Sequence, residues 1–161
     1  MDSSPGAYIL RIFARKSGAP SPQAIGDHLR SRRFAVRIES GAVSQHSEGW
    51  TRLRVFYAPG RSPLGLERQS LHGDAPLSEP LRALMDATAD AKDSRGKGKV
   101  LAFLGECRQV FELSVPPEYD WHAGRHLVTT ELLDYLRQAT DGMVQADGEG
   151  YYERNRVILK L

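Results

Sequence analysis

The stretch AYILRIFA, residues 7–14, is aliphatic or aromatic at every position except Arg11. An unbroken run of such residues is typical of a strand that is buried on both faces of a sheet. The segment SGAPSP ends the run, and Ser21 and Pro22 then favour the start of a helix over about residues 22–33. The first element is therefore predicted to be a strand that other elements cover on both sides.

Two alternating stretches follow this helix, FAVRIES at residues 34–40 and WTRLRVFYA at residues 50–58. Alternation of apolar and polar side chains predicts strands with one buried face. The next stretch, LGLERQSL at residues 64–71, is a weaker strand pattern because Gly65 lowers strand propensity.

The middle of the chain favours helices. LSEPLRALMDATADA, residues 77–91, spaces its apolar side chains as one helical stripe, with Ser78 as the cap. KDSRGKGK, residues 92–99, is charged and glycine-bearing and is predicted to be a mobile connector. VLAFLGEC, residues 100–107, is compatible with a strand but favours a short helix.

The last third repeats the order of elements seen in the first. RQVFELSVP, residues 108–116, predicts a strand, and apolar residues at helical spacing predict a helix over about 122–139. GMVQADGEGYYE, residues 142–153, predicts a strand that enters a turn, and RVILKL, residues 156–161, predicts a final strand.

These patterns predict an α+β fold in a single domain, residues 1–161. Two strand–helix–strand–strand halves, at about 8–72 and 108–161, are expected to be ferredoxin-like and joined by a helical connector at about 77–107. We expect one sheet with its helices on one face.

The composition excludes several classes of protein. Of the 161 residues, 40% are hydrophobic and 26% are charged, which is ordinary for a globular chain. No apolar run reaches the roughly 18–20 residues of a membrane-spanning helix, and the N-terminus lacks the pattern of a secretory signal. Cys107 is the only cysteine, which excludes an internal disulfide and favours a reducing cytoplasm.

Charge is divided unevenly along the chain. Residues 1–72 contain 11 Lys/Arg and 5 Asp/Glu, whereas residues 73–161 contain 11 and 15. Such segregation can steer a partner of opposite sign, and it can equally reflect two halves that attract each other.

The segment QADGEGYYE, residues 145–153, contains two carboxylates, Asp147 and Glu149, that alternate with glycines. Paired carboxylates are candidates for binding a hard cation or for acid–base catalysis. The complete calcium-loop pattern is missing, and Asp-Gly followed by Glu-Gly is typical of a turn between strands. We therefore expect a hairpin here.

His122 and His126 in WHAGRH are four residues apart, which on a helix would place both imidazoles on one side, as a metal pair requires. A third ligand and the H-E-x-x-H pattern are missing. A metal-dependent enzyme built on these histidines with Asp147 and Glu149 is one alternative, but we expect neither a bound metal nor a cofactor.

Arginine and aromatic residues share the polar side of the predicted strands. The candidate partner-binding residues are Arg11, Arg37, Trp50, Arg52, Arg54 and Phe56. Trp, Tyr and Arg dominate protein-binding hot spots, and the same mixture suits stacked bases and phosphates of a single nucleic-acid strand. Alternatively, the second half of the chain or the helices at 78–107 cover this side and pair with its arginines.

The segment ELLDYLRQATDGMVQADGEGYYE, residues 131–153, resembles the closing helix, turn and strand of small uncharacterised bacterial α+β proteins. The resemblance implies a bacterial, cytoplasmic α+β protein, and no catalytic signature accompanies it.

Taken together, these features predict a non-enzymatic module that binds another protein, in an accessory, regulatory or immunity-type inhibitor role. A nucleic-acid-binding module is the first alternative, although a net charge of +2 is small for strong phosphate binding. A metal-dependent enzyme is the second alternative.

Overall fold

The computed structural model describes residues 6–92, 94–124 and 126–161. Within these residues the chain forms one eight-stranded antiparallel sheet and four helices, which confirms the α+β class. The strands are β1 (Tyr8–Ala14), β2 (Arg37–Glu39), β3 (Arg52–Phe56), β4 (Leu64–Ser70), β5 (Gln109–Val115), β6 (Gly142–Ala146), β7 (Gly150–Glu153) and β8 (Arg156–Lys160). The helices are α1 (Pro22–Ser31), α2 (Glu79–Asp90), α3 (Arg95–Glu106) and α4 (Val128–Thr140).

The strand order is β2-β3-β4-β5-β1-β6-β7-β8, so the first strand of each predicted half lies at the centre of the sheet. After α1 the chain passes to the far edge and returns inward through β2, β3 and β4. After α4 it passes only over β1 and continues outward through β6, β7 and β8. Strand β5 of the second half therefore lies between β4 and β1 of the first half. The two halves are interleaved in one sheet, which differs from two separate ferredoxin-like units.

The first face of the sheet is covered by α1 and α4. Alternate residues of the central strands, such as Ile12 in β1 and Phe111 in β5, point to this side. They pack with Ile25 of α1 and with Leu132 and Leu136 of α4, and all five side chains are buried. The predicted capping of the first helix is confirmed, because the Ser21 Oγ accepts a hydrogen bond from the Ala24 N–H at 3.1 Å.

The second face is partly covered by α2 and α3, so the prediction that all helices lie on one face is wrong. The opposite set of alternate residues, including Phe13 of β1 and Val110 of β5, packs here with Leu81 of α2 and with Val100 and Leu104 of α3. The physical reason lies in the central strands, because Phe13 of β1 and Val110 of β5 are apolar on the side opposite Ile12 and Phe111 and therefore need cover there as well.

The predicted mobile connector at 92–99 is also wrong in its second part, because Arg95 already begins α3. The Ser94 Oγ caps this helix by accepting from the Lys97 N–H at 3.1 Å. Gly96 lies against the backbone of β8, where a Cβ atom would be 1.8 Å from the Ile158 carbonyl oxygen. The glycine is thus required for close packing of the helix on the strand, and Asp93 lies outside the described residues.

In the described part of the chain, no helix is both long and apolar enough to cross a membrane.

Candidate functional site

Four of the six candidate partner-binding residues lie together on the second face of the sheet. Arg37 of β2 and Arg52, Arg54 and Phe56 of β3 are on the side that is opposite the buried Ile38, Leu53 and Val55. The side chains of Arg37, Arg52 and Arg54 are 63%, 71% and 58% exposed. With their acidic neighbours Glu39 and Glu67, these six residues are named the arginine face below.

The arginine face is held together by stacking and by ion pairs. The Arg37 guanidinium lies 4.2 Å from the centre of the Phe56 ring, and that of Arg54 lies 5.9 Å from it. Glu39 accepts from Arg37 at 2.6 Å and lies 3.7 Å from Arg54. Arg52 pairs with Glu67 across β3 and β4 at 3.1 Å. The guanidinium groups are therefore positioned before any partner arrives.

Trp50 does not belong to this face, and its predicted position is wrong. The residue precedes β3, so the alternation of the strand does not extend to it. Its side chain is fully buried in the core of the first face, 5.9 Å from the Phe111 ring. The indole Nε1–H donates to the Pro20 carbonyl at 2.8 Å, so the polar atom of the ring is also satisfied.

Arg11 is on the second face but is only 3% exposed, so it is not available as predicted. Its Nη1 donates to Asp147 at 2.8 Å and to Gln145 at 3.0 Å. Its Nε lies 3.6 Å from Glu112 and makes no hydrogen bond among the described residues. Burial raises the pKa of the Glu112 carboxyl, an effect that the nearby Arg11 opposes.

The acidic segment forms the hairpin turn that the sequence predicts. Residues 147–149 connect β6 and β7, and the Glu149 N–H donates to the Ala146 carbonyl at 3.1 Å. Gly148 and Gly150 have φ angles of 75° and 137°, a backbone region that glycine adopts without strain. The two carboxylates have different partners, since Asp147 accepts a hydrogen bond from Arg11, whereas Glu149 accepts hydrogen bonds from two tyrosine hydroxyls.

A groove of about 670 Å³ lies between α4 and the β6–β7 hairpin, on the first face of the sheet. Its lining combines aliphatic, aromatic and charged side chains. The residues used below are Tyr8, Trp121, Leu133, Arg137, Val144, Glu149, Tyr152 and Arg154. Sequence reasoning missed this groove because its walls come from four separate segments, and Tyr152, shortly after the acidic turn, was its only signal in the sequence.

Two hydrogen bonds fix the side chain of Glu149 in the groove. It accepts hydrogen bonds from the Tyr8 hydroxyl and, at 2.9 Å, from the Tyr152 hydroxyl. Burial and the bond to Glu149 raise the pKa of the Tyr8 phenol, and the bond to Glu149 raises the pKa of Tyr152. The Tyr8 ring packs edge-on against the exposed Trp121, with 5.6 Å between ring centres.

The histidine pair is not arranged as a metal site. Residues 122–124 and 126 lie before α4, so His122 and His126 do not share a helical side, and Arg125 of this segment lies outside the described residues. His126 stacks on Phe34 at 4.8 Å between ring centres. Among the described residues, no group of three or more His, Cys, Asp or Glu side chains is placed to hold a metal ion.

Cys107 is buried. Burial raises the pKa of the thiol to about 12, which disfavours the thiolate that a nucleophile would need.

No protein family, curated protein or solved structure matches the chain. The resemblance of residues 131–153 to small bacterial proteins therefore stays a prediction.

Proposed function

We propose that the protein is a non-enzymatic protein-binding module and that the arginine face is the surface on which its partner docks. One observation carries this proposal: half of the second face is left without helices, and that half presents arginines that are already stacked on an aromatic ring. The other half of the same face is covered by α2 and α3.

The arrangement of the side chains favours a protein partner. Arginine and aromatic residues are enriched among those that contribute most to protein–protein affinity. Because Glu39 and Phe56 hold Arg37 and Arg54 in place, less side-chain entropy is lost when a partner binds. Mixed charge also suits a folded protein, whose surface carries both signs.

Recesses beside the face provide places for anchoring side chains. One of about 640 Å³ is lined by Arg52 and Arg54 together with Pro63, Pro116 and Pro117. A second, of about 340 Å³, lies between β3 and the loop that contains the exposed Val43. Pockets of this kind commonly receive the central side chains of an interface.

The same arrangement of side chains is less suited to a nucleic-acid partner than to a protein partner. Arg37, Arg52 and Arg54 all lie beside a carboxylate, and the six residues of the face together carry one net positive charge. A phosphate backbone would have to displace Glu39 and Glu67 from their arginines, and few counterions would be released. The metal-dependent enzyme gains no support, because its four proposed ligands have separate partners or positions.

Within this proposal, an accessory, regulatory or immunity-type inhibitor role in a bacterial cytoplasm is the best fit to the chain. Its single cysteine, which suits a reducing compartment, and the hairpin turn that its acidic segment forms support that role.

Capture from an extract of the cells that make the protein tests the proposal. The protein would be immobilised as wild type, as Arg52→Gln/Arg54→Gln, and as the control Arg82→Gln/Arg108→Gln, whose arginines are exposed elsewhere. We expect one protein that is retained after nuclease treatment by the wild type and the control, but not by the first double variant. Loss of all retained material on nuclease treatment would instead favour the nucleic-acid alternative.

A further inference from the structure

The groove between α4 and the β6–β7 hairpin has two chemically different ends. Helix α4 and β6 are joined by the single residue Asp141, so they run in opposite directions. The last turn of α4, with Arg137, therefore lies beside the start of β6, and the first turn lies beside the hairpin turn that contains Glu149. Tyr152 pairs with Val144 in the middle of the hairpin, which places Arg154 at the Arg137 end.

The acidic end consists of Glu149, Tyr8, Tyr152 and Trp121. The two tyrosine hydroxyls orient the exposed carboxylate of Glu149, and the rings of Tyr8 and Trp121 form a wall beside it. A carboxylate next to aromatic rings attracts a cation through an ion pair and through the ring quadrupoles. This end is therefore complementary to an ammonium or guanidinium group.

The basic end consists of Arg137, Arg154 and Asn155. Arg137 is only weakly held, with its Nε 3.8 Å from Asp134. Arg154 makes no ion pair within 4.0 Å among the described residues. It lies in the turn between β7 and β8, where its φ angle is 56°. This end is complementary to a carboxylate.

The apolar middle consists of Leu10, Leu133, Val144 and Ala146. Leu133 and Val144 are half-buried, although they pack against the main core. Leu10 and Ala146 are buried beneath them, so Leu133 and Val144 provide the accessible apolar surface on which aliphatic groups of a ligand can pack between the two charged ends.

We propose that this groove binds an extended segment of a partner polypeptide, with a lysine or arginine at the acidic end, aliphatic side chains over the apolar middle and a carboxylate at the basic end. The site lies on the opposite side of the sheet from the arginine face, so it goes beyond the proposed docking function and does not depend on it.

The dimensions fit a short extended segment. The groove follows the five residues of β6, which span roughly 13–17 Å at about 3.3 Å per residue. A pentapeptide in extended form covers the same distance. Its charged side chains would then reach both ends of the groove at once, which fixes the register of the segment.

Nuclear magnetic resonance with a defined pentapeptide, acetyl-KLVLE-amide, tests the inference. The chain has two tryptophans, of which Trp121 is in the groove and Trp50 is buried in the core. We expect millimolar peptide to shift the indole N–H signal of Trp121 and the methyl signals of Leu133 and Val144, and to leave Trp50 unchanged. Trp121→Phe assigns the two indole signals.

Matched peptides and variants locate the charge recognition. Replacing lysine by glutamine in the peptide, or Glu149→Gln in the protein, should each weaken binding about fivefold, as loss of a partly exposed ion pair does. Glu153→Gln is the control, because Glu153 is an exposed acid at the end of the adjoining strand β7 and pairs with Lys99 outside the groove. The unshifted Trp50 signal shows in every case that the variant is folded.

Three results would overturn the inference: no shift of Trp121 or of the groove methyls, equal affinity for the lysine and glutamine peptides, or equal loss in Glu149→Gln and Glu153→Gln. Arg52→Gln/Arg54→Gln should bind the pentapeptide as the wild type does. A binding defect in that variant alone would place the peptide on the arginine face, so it too would overturn the inference while leaving the proposed docking function intact.

Discussion

The two halves of the second face differ in cover although their strands belong to one continuous sheet. Where the outward residues are apolar, as with Phe13, Val110, Met143 and Tyr151, α2 and α3 pack on the sheet. Where they are arginines, as in β2 and β3, the sheet is left bare. The chemical type of every second residue along a strand, rather than strand pairing, therefore decides which part of the sheet helices can cover.

A row of polar residues, four of them charged, marks the boundary between the covered and the bare halves. Arg52, Glu67, Glu112, Arg11 and Gln145 are consecutive partners across β3, β4, β5, β1 and β6. The row is exposed at Arg52 and buried at Arg11 and Glu112. Charged groups are costly to place under apolar helices, so the row limits how far the cover extends.

The largest predicted difference in the free energy of unfolding is between variants of two aromatic residues, Trp50 in the core and Phe56 on the bare half. Trp50→Ala should lower the free energy of unfolding by about 3–5 kcal/mol, because it leaves a cavity in the core. Phe56→Ala on the bare half should cost about 1 kcal/mol or less, since mainly stacking with arginines is lost. Urea unfolding followed by circular dichroism measures both, and equal costs would show that Phe56 is not on a bare surface.

Removing the buried cation of the charged row should have the next largest effect. Arg11→Ala should cost about 3 kcal/mol, because it leaves Glu112 buried without a compensating charge. The control Arg52→Ala removes a 71% exposed partner in the same row and should cost about 1 kcal/mol or less. If both variants unfold at the same urea concentration, the boundary is not buried as described.

The packing of α3 on β8 can be broken without changing any charge. Gly96→Ala should cost about 1–3 kcal/mol, because the added Cβ atom collides with the Ile158 carbonyl. Gly98→Ala, in the same helix with open space around it, should instead stabilise by up to about 1 kcal/mol through higher helix propensity. Thermal unfolding of the two variants should therefore move in opposite directions, and a shift in the same direction would contradict the docking of α3.

Much of this fold could be predicted from local patterns, and the errors have identifiable physical reasons. The cap at Ser21, the alternation of β3 and the glycine turn after Ala146 depend on neighbouring residues, so the sequence alone reveals them. The position of Trp50 could not be read from alternation, because β3 begins only after that residue and burial of the indole prevails.

The sides on which helices pack were not predictable in the same way. The apolar stripe of α2 shows that the helix is buried, but it does not say against which face of the sheet. The groove was hidden for a related reason, since Tyr8, Trp121, Leu133 and Glu149 come together only through the strand order. Of the candidate site, the sequence could place Arg52 and Arg54 on one side because they alternate within the short strand β3.

Replacing Glu112, a buried member of the charged row, should have the smallest effect on stability. That effect should depend on pH. Burial raises its folded-state pKa above the unfolded value, so folding favours the protonated carboxyl. That contribution is complete below the unfolded pKa and is lost as the pH rises through the folded-state pKa. Glu112→Gln should therefore raise the melting temperature at pH 7 by about 2 °C and leave it almost unchanged near pH 4. A lower melting temperature at pH 7 would show that the ion pair with Arg11 outweighs burial.

The central claim is that the bare arginine face docks a protein, and the affinity of the captured partner tests it most directly. Affinity and melting temperature would be measured together, at two salt concentrations, for the wild type, Arg52→Gln/Arg54→Gln and Arg82→Gln/Arg108→Gln. We expect the first double variant to weaken the affinity for the partner by about 2 kcal/mol or more, with modest salt dependence and little change in melting temperature. Unchanged affinity together with a lowered melting temperature would contradict it, because the arginines would then stabilise the fold instead of binding a partner.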